Sequence, residues 1–246
     1  MKLSFTSDGG YSANPAIGVI VLSTDETLEP ELQQVSVCPR VSLYHSRIPF
    51  DPNVTPETLA RMEAEIPASL DLLPKHAAFD AIGYGCTSGA TVIGAARVAE
   101  IVRQNFPNVA VSDPITAAIT ACRALSVKRL GLLTPYRVDV SIAMQNLFEK
   151  NGIKISALGC FEEEMDHKVA RISENAVLKG MLQVGAGECD AVFASCTNLR
   201  SFGIIEQAER TLGKPVISSN SAFAWHLYRS AGVTGPIIGP GQLFQL

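Results

Sequence analysis

Cysteine is the residue type in this chain whose surroundings repeat. The segment Asp80-Ala81-Ile82-Gly83-Tyr84-Gly85-Cys86-Thr87-Ser88 is matched by Asp190-Ala191-Val192-Phe193-Ala194-Ser195-Cys196-Thr197-Asn198, with the same spacing from aspartate to cysteine. Each cysteine ends an apolar run of strand type and precedes a polar pair and then a segment of helical pattern. Ligands of parallel α/β sheets bind at the carboxyl ends of strands. A thiol at that place, beside a helix N-terminus, meets exposed backbone N–H groups and the positive end of the helix dipole, which favours the thiolate. The same N–H groups, with the side chains of Thr87, Ser88, Thr197 and Asn198, can hold a carboxylate. Two thiols on opposite sides of a carbon can remove a proton from one face and return it on the other. The same pair can instead add one thiolate to a double bond while the other thiol supplies a proton. Spacing alone does not choose between these. For Cys38, Cys122, Cys160 and Cys189, which lack the repeated motif, packing is the expected role.

A second match supports duplication: Ser112, Arg123 and Val127 recur as Ser218, Arg229 and Val233 at one constant offset. Short apolar runs alternate with longer helical segments throughout, the pattern of βα units on parallel sheets. The runs Ile17–Leu22, Ala81–Gly85, Leu130–Leu133, Ala191–Ala194 and Val216–Ser218 read as buried strands. Helices are expected over Pro56–Leu73, Ala90–Gln104, Asp139–Asn151, Val169–Val184 and Ser221–Ala231. The expected fold is α/β with two pseudo-symmetric lobes, each a short parallel sheet flanked by helices, and the site in the cleft between them. Residues 1–120 with 222–246 would form the first lobe, and residues 121–221 the second.

Composition narrows the partners. Of 246 residues, 47% are hydrophobic and 18% charged, with a net charge of −4, so the composition is that of a compact globular chain. No Lys/Arg stripe is present to neutralise nucleic acid or an anionic membrane. Met1–Gly10 lacks the apolar core of a signal peptide, and Ala16–Leu22 is too short to span a bilayer, so a cytoplasmic protein is expected. The six cysteines are read as reduced thiols, since a chain this long and apolar does not need disulfide staples. With no CxxC or HExxH, and with His45, His76, His167 and His226 far apart, a metal site has no support.

Other polar residues at strand ends complete the candidate set. Asp25 follows the first strand, where either helix capping or a ligand contact would lie. Tyr136 follows the strand at Leu130–Leu133 and could donate its hydroxyl to a carboxylate. The acidic run Glu162–Asp166 reads as a solvated loop whose last member could reach the cleft. Gly83-x-Gly85 lacks the third glycine of a dinucleotide fingerprint and reads as a tight turn. Trp225 and His226 lie in an apolar helix, where packing is expected.

The motifs Gly-Tyr-Gly-Cys86-Thr-Ser-Gly and Ser-Cys196-Thr-Asn-Leu-Arg resemble those of the aspartate/glutamate racemase superfamily over nearly the whole chain. The resemblance is strongest to the branch holding maleate cis–trans isomerases, arylmalonate decarboxylases and the racemase-like protein of ectoine utilisation. It implies a pseudo-symmetric two-lobed fold, Cys86 and Cys196 as the catalytic pair, and no metal or organic cofactor. It also implies that Thr87, Ser88, Thr197 and Tyr136 hold a substrate carboxylate. Arylmalonate decarboxylases keep only the second cysteine, so Cys86 argues against a simple decarboxylase. Two asparagines of maleate isomerases are matched here by Asp25 and Asp166, which would repel a dianion unless protonated. The leading expectation is therefore a racemase or isomerase of a small carboxylate, with an amino-acid derivative of ectoine breakdown as a candidate. Maleate isomerisation, arylmalonate-type decarboxylation and a non-catalytic binding module are the alternatives. The implied partner is a small carboxylate, and dimers or higher homo-oligomers are common in such families.

Overall fold

Seven consecutive apolar or glycine residues, Ala16–Leu22, offer no polar face, so this segment is stable only as a strand covered on both sides. It forms β1, and every residue of it is buried. The structure, a computed structural model, describes residues 1–246 apart from Pro39 and the side chains of Ser12 and Ala13. The other strands are β2 (Ser36–Val37), β3 (Ser42–Ile48), β4 (Ala81–Gly85), β5 (Ala110–Ser112), β6 (Arg129–Thr134), β7 (Lys154–Cys160), β8 (Ala191–Ala194), β9 (Val216–Ser218) and β10 (Ile237–Ile238). The helices begin with α1 (Leu28–Leu32), α2 (Pro56–Arg61), α3 (Ile66–Asp71), α4 (Thr87–Ile93), α5 (Ala95–Asn105) and α6 (Pro114–Ala124). They continue with α7 (Val138–Lys150), α8 (Asp166–Val169), α9 (Glu174–Gly185), α10 (Phe202–Leu212) and α11 (Ser219–Ser230).

Two four-stranded parallel sheets carry the fold, in the orders β3-β1-β4-β5 and β7-β6-β8-β9. The two orders become identical when β1 is matched to β6, so the duplication read in the cysteine segments extends to the topology. In each sheet the chain first moves to one side of the leading strand and then to the other. The switch points therefore lie between β1 and β4 and between β6 and β8, where open α/β sheets bind ligands. Cys86 directly follows β4, and Cys196 follows β8 after Ser195. Asp25 and Tyr136 follow β1 and β6. All four thus stand at a switch point.

Several expected helices are divided by residues that oppose continuity. The segment expected as one helix over Pro56–Leu73 is α2, a 3-10 turn at Met62–Glu65, and α3, with Pro67 in the first turn of α3. Proline has no N–H to continue a helix through that point. The helix expected over Ala90–Gln104 begins earlier, at Thr87, and breaks at Gly94, whose φ of +92° is one that side-chain-bearing residues rarely adopt. The helix expected from Val169 begins instead at Glu174, capped by the Ser173 hydroxyl, with α8 standing apart before it.

The helix following the second sheet returns to the first. α11 packs on α6, β4 and β5, and Gly83 in β4 makes this possible, because a Cβ there would come within 2.4 Å of Phe223. Gly85 likewise admits Leu28 and the Ile20 carbonyl. The Gly83-x-Gly85 pair is therefore a packing device within a strand, not the turn expected of it.

A buried carboxyl ties the sheets together. Glu31, at the end of α1, accepts hydrogen bonds from the Ser201 and Phe202 N–H groups at 2.7 and 2.9 Å and from Asn220 Nδ2 at 2.7 Å. It thereby caps α10 and holds the start of α11. Burial pushes its pKa up to about 7, against the lowering effect of these donors. The folded state then binds the Glu31 proton more tightly than the unfolded chain, so this contribution to stability is full below pH 4.5 and is lost as pH rises through about 7. Urea titrations of wild type and Glu31→Gln across that range should show a steeper decline in the wild type; parallel curves would exclude a titrating Glu31.

Candidate active site

Cys86 occupies the N-cap of α4, in extended backbone with φ −141° and ψ 113°. Its Sγ accepts the Gly89 N–H at 3.2 Å and lies 3.7 Å from Ser88 Oγ. Glycine is required at position 89, because a Cβ there would fall 2.9 Å from that sulfur and 2.7 Å from the Tyr84 hydroxyl. Burial pushes the Cys86 thiol up to about 12, while the Gly89 N–H and the Ser88 hydroxyl pull it down. The expected helix-end donor is thus present, and it works against nearly complete burial.

Cys196 departs from its counterpart. A turn follows it rather than a helix, and α10 does not begin until Phe202. The N-terminus of α10 is occupied by Glu31, so the second cysteine does not have the helix-end setting that its sequence predicts. Its backbone instead lies at φ +100°, a conformation that costs a non-glycine residue about 1–3 kcal/mol. Two groups favour its thiolate, the Tyr136 hydroxyl and the Asn198 N–H, yet burial pushes the thiol well above its ordinary value. Tyr136 is itself buried and, with its pKa driven up first by burial and then by the two cysteines, remains a protonated donor.

The two cysteine turns are joined through α11. Ser219 Oγ accepts the Cys196 N–H at 2.9 Å and shares a 2.8 Å hydrogen bond with Thr87 Oγ1. Thr197 Oγ1 donates to the Gly85 carbonyl at 3.4 Å, crossing in the other direction. Thr87 and Thr197 are therefore engaged in aligning the two turns.

Two carboxyls face both sulfurs. Asp25 and Asp166 each raise the pKa of Cys86 and of Cys196, so the two thiols share one environment. Asp25 Oδ1 caps α1 by accepting from the Thr27 and Leu28 N–H groups at 2.8 and 2.7 Å, while the buried Oδ2 has no well-formed hydrogen bond, although the Thr197 hydroxyl stands close enough to the carboxylate to favour its charge. Asp166 Oδ2 accepts from Thr24 Oγ1 at 2.5 Å and Asn198 Nδ2 at 3.0 Å. Burial is the first cause of a raised pKa in both. The acids buried in the molecule are Asp25, Glu31, Asp113 and Asp166, and among the described residues no Lys, Arg or His is buried. No three or more His, Cys, Asp or Glu side chains among the described residues gather into a group that could hold a metal ion.

The sequence model of the arylmalonate decarboxylase family matches residues 94–244. The chain belongs to that family. The maleate isomerase of Nocardia farcinica is 28% identical over 239 residues, covering 93% of this chain and 95% of that protein. The arylmalonate decarboxylase of Bordetella bronchiseptica is 28% identical over 119 residues, covering 48% of this chain and 50% of that one. A variant of the Nocardia farcinica maleate cis–trans isomerase with a covalently bound succinylcysteine intermediate superposes with a TM-score of 0.86 at 26% identity, covering 94% of this chain and 98% of that one. Relatives of this kind support an enzyme of the isomerase type. Among the described residues no helix is long and apolar enough to cross a membrane.

Of the residues singled out by sequence, Cys86, Ser88, Asp25, Tyr136, Asp166 and Cys196 gather around the thiols. Asp166, the last member of the acidic run, is buried at the start of α8. Asn198 is spent on scaffold: Oδ1 accepts the Glu26 N–H at 2.9 Å and Nδ2 donates to Asp166 and Thr24, locking the β1–α1 loop of one sheet to the β8 turn of the other. His226 and Trp225 pack as expected, with His226 Nδ1 2.7 Å from Ser112 Oγ. Ser219, Thr24, Glu31 and Gly89 escaped notice, as did Ser195, whose buried Oγ lies beside the Tyr136 hydroxyl. The signal for Ser219 was available, since it directly follows Ser218 of the repeated set. Removing the phenol hydroxyl takes away a hydrogen bond to a charged group worth about 1.5 kcal/mol. Tyr136→Phe should therefore slow iodoacetamide alkylation of Cys196 about tenfold at fixed pH relative to Cys86, read by peptide mass spectrometry.

Proposed function

We propose that this protein is a cofactor-independent cis–trans isomerase of a small cis-enedioic acid of the maleate class, with Cys86 as nucleophile and Cys196 as proton donor. The observation that carries this reading is the presence of two thiols on matched strand ends, both exposed to the same pair of carboxyls and the same phenol. The roles follow from the inequality between them. Cys86 caps a helix with the Gly89 N–H on its sulfur, the setting of a nucleophilic thiolate, whereas Cys196 sits in a turn at positive φ beside the Tyr136 hydroxyl, the setting taken here for the proton donor.

In the forward reaction the Cys86 thiolate adds to one olefinic carbon, forming a C–S bond as the π pair moves to the adjacent carbon. That carbon takes the Cys196 proton, leaving a succinyl-type thioether on Cys86 and a thiolate on Cys196. Rotation about the new single bond exchanges the positions of the two carboxyl ends. The Cys196 thiolate then removes a proton, the double bond reforms, and the Cys86 thiolate departs. No net proton or electron is consumed. The Ser195 hydroxyl, and the Tyr136 hydroxyl when it turns from Cys196, can donate to the carboxylate whose conjugation stabilises the carbanion.

The relatives favour maleate chemistry over an amino-acid derivative of ectoine breakdown, since maleate isomerases match along nearly the whole chain. A decarboxylase requires only one proton-donating thiol and leaves Cys86 without a role. NMR of the protein with maleate should show the trans olefin appearing. Because thiol catalysis contributes about 10²–10⁴-fold through proton transfer alone, Cys86→Ser and Cys196→Ser should each lower turnover by at least about 10²-fold. Wild-type turnover in both single variants would sink the two-thiol mechanism.

A further inference from the structure

Two buried side-chain oxygens beside the thiols lack a well-formed hydrogen bond, with the Thr197 hydroxyl near the one and the Tyr136 hydroxyl near the other, and their hydrogen-bond character is opposite. Asp25 Oδ2, on the β1 side, can only accept when ionised, and Ser195 Oγ, on the β8 side beside the Tyr136 hydroxyl, can donate. We propose that the substrate of the isomerase reading above is a cis-enedioic half-amide, its carboxylate held by Ser195 and Tyr136 and its amide N–H donated to Asp25 Oδ2. The inference rests on that reading and names the substrate within its class.

Charge supports the same assignment. A dianion entering this site would meet Asp25 and Asp166, whose own charges burial already disfavours, and, among the described residues, no buried cation to offset a further negative charge. The guanidinium at the back of the β1–α1 loop does not compensate: Arg47 Nη1 donates to the backbone carbonyls of Leu22 and Asp25 at 2.9 Å each, and Nη2 pairs with Glu29. Replacing one carboxylate by an amide removes a negative charge and supplies the donor that Oδ2 lacks. A polar site that hydrogen-bonds one substrate group rejects the analogue lacking it strongly, because the buried partner is then left unpaired.

Asp25→Asn is the discriminating variant. It keeps the Oδ1 acceptor that caps α1 at Thr27 and Leu28 and converts Oδ2 into a donor. Wild-type kcat/KM should be at least about tenfold higher for maleamate than for maleate at neutral pH, and Asp25→Asn should erase or invert that ratio. A wild-type preference for maleate, or a ratio unmoved by the substitution, overturns the proposal. Calorimetry with unreactive analogues on the wild type decides the matter even if the variant does not fold: succinamate should bind more tightly than succinate, and the reverse order overturns the proposal. If neither olefin is isomerised, the isomerase reading fails, and the calorimetric order still decides whether Oδ2 recognises a donor.

Discussion

The Ser219 hydroxyl, accepting the Cys196 N–H and bonded to Thr87, is the point on which the geometry of both sulfurs turns. The two sheets have no strand in common, so nothing in their ladders sets the separation of the two cysteine turns. That separation is set by buried side-chain hydrogen bonds: Ser219 and Thr197 between the turns, Asn198 to the β1–α1 loop, and Glu31 to the starts of α10 and α11. Those of Ser219, Thr197 and Glu31 are buried and that of Asn198 partly so, and a buried polar group that loses its partner bears the full desolvation cost. The relative placement of the lobes is accordingly cooperative.

Matched local sequences have produced unlike thiols. Cys86 heads a helix and keeps an extended backbone, whereas Cys196 sits at positive φ with its nearest helix capped by Glu31. On the proposed mechanism an acid and a base must differ in proton affinity at the moment of reaction, and a strictly symmetric pair would not. The duplication supplies the pair of thiols, and the divergence between the turns supplies the difference.

Much of this was legible from residues. The strands β1, β4, β6, β8 and β9 announce themselves because both faces are covered and their runs are apolar throughout. β3 and β7 did not, since Ser42, His45, Ser46 and Arg47 in the one, and Lys154 and Ser156 in the other, interrupt the pattern, as befits strands at sheet edges. The thiols, Tyr136 and Asp25 were readable because strand ends are local features. The contacts that Asn198 and Ser219 make with the other sheet were not legible for one reason: no window of sequence contains both ends of a hydrogen bond that spans more than one hundred residues.

The return of α11 to the first sheet has a consequence for biosynthesis. A chain emerging in order completes β4, β5 and α6 long before the segment that covers them, so the glycine-floored face of Gly83 waits, open, for Phe223 and Leu227. The hydroxyl that aligns Thr87 with Cys196 arrives on that same segment. Neither thiol is brought into register until α11 has docked, so a nascent or truncated chain bears the two cysteines without the means to oppose them. Competence is acquired in one late step, when the last long helix closes over the oldest part of the fold.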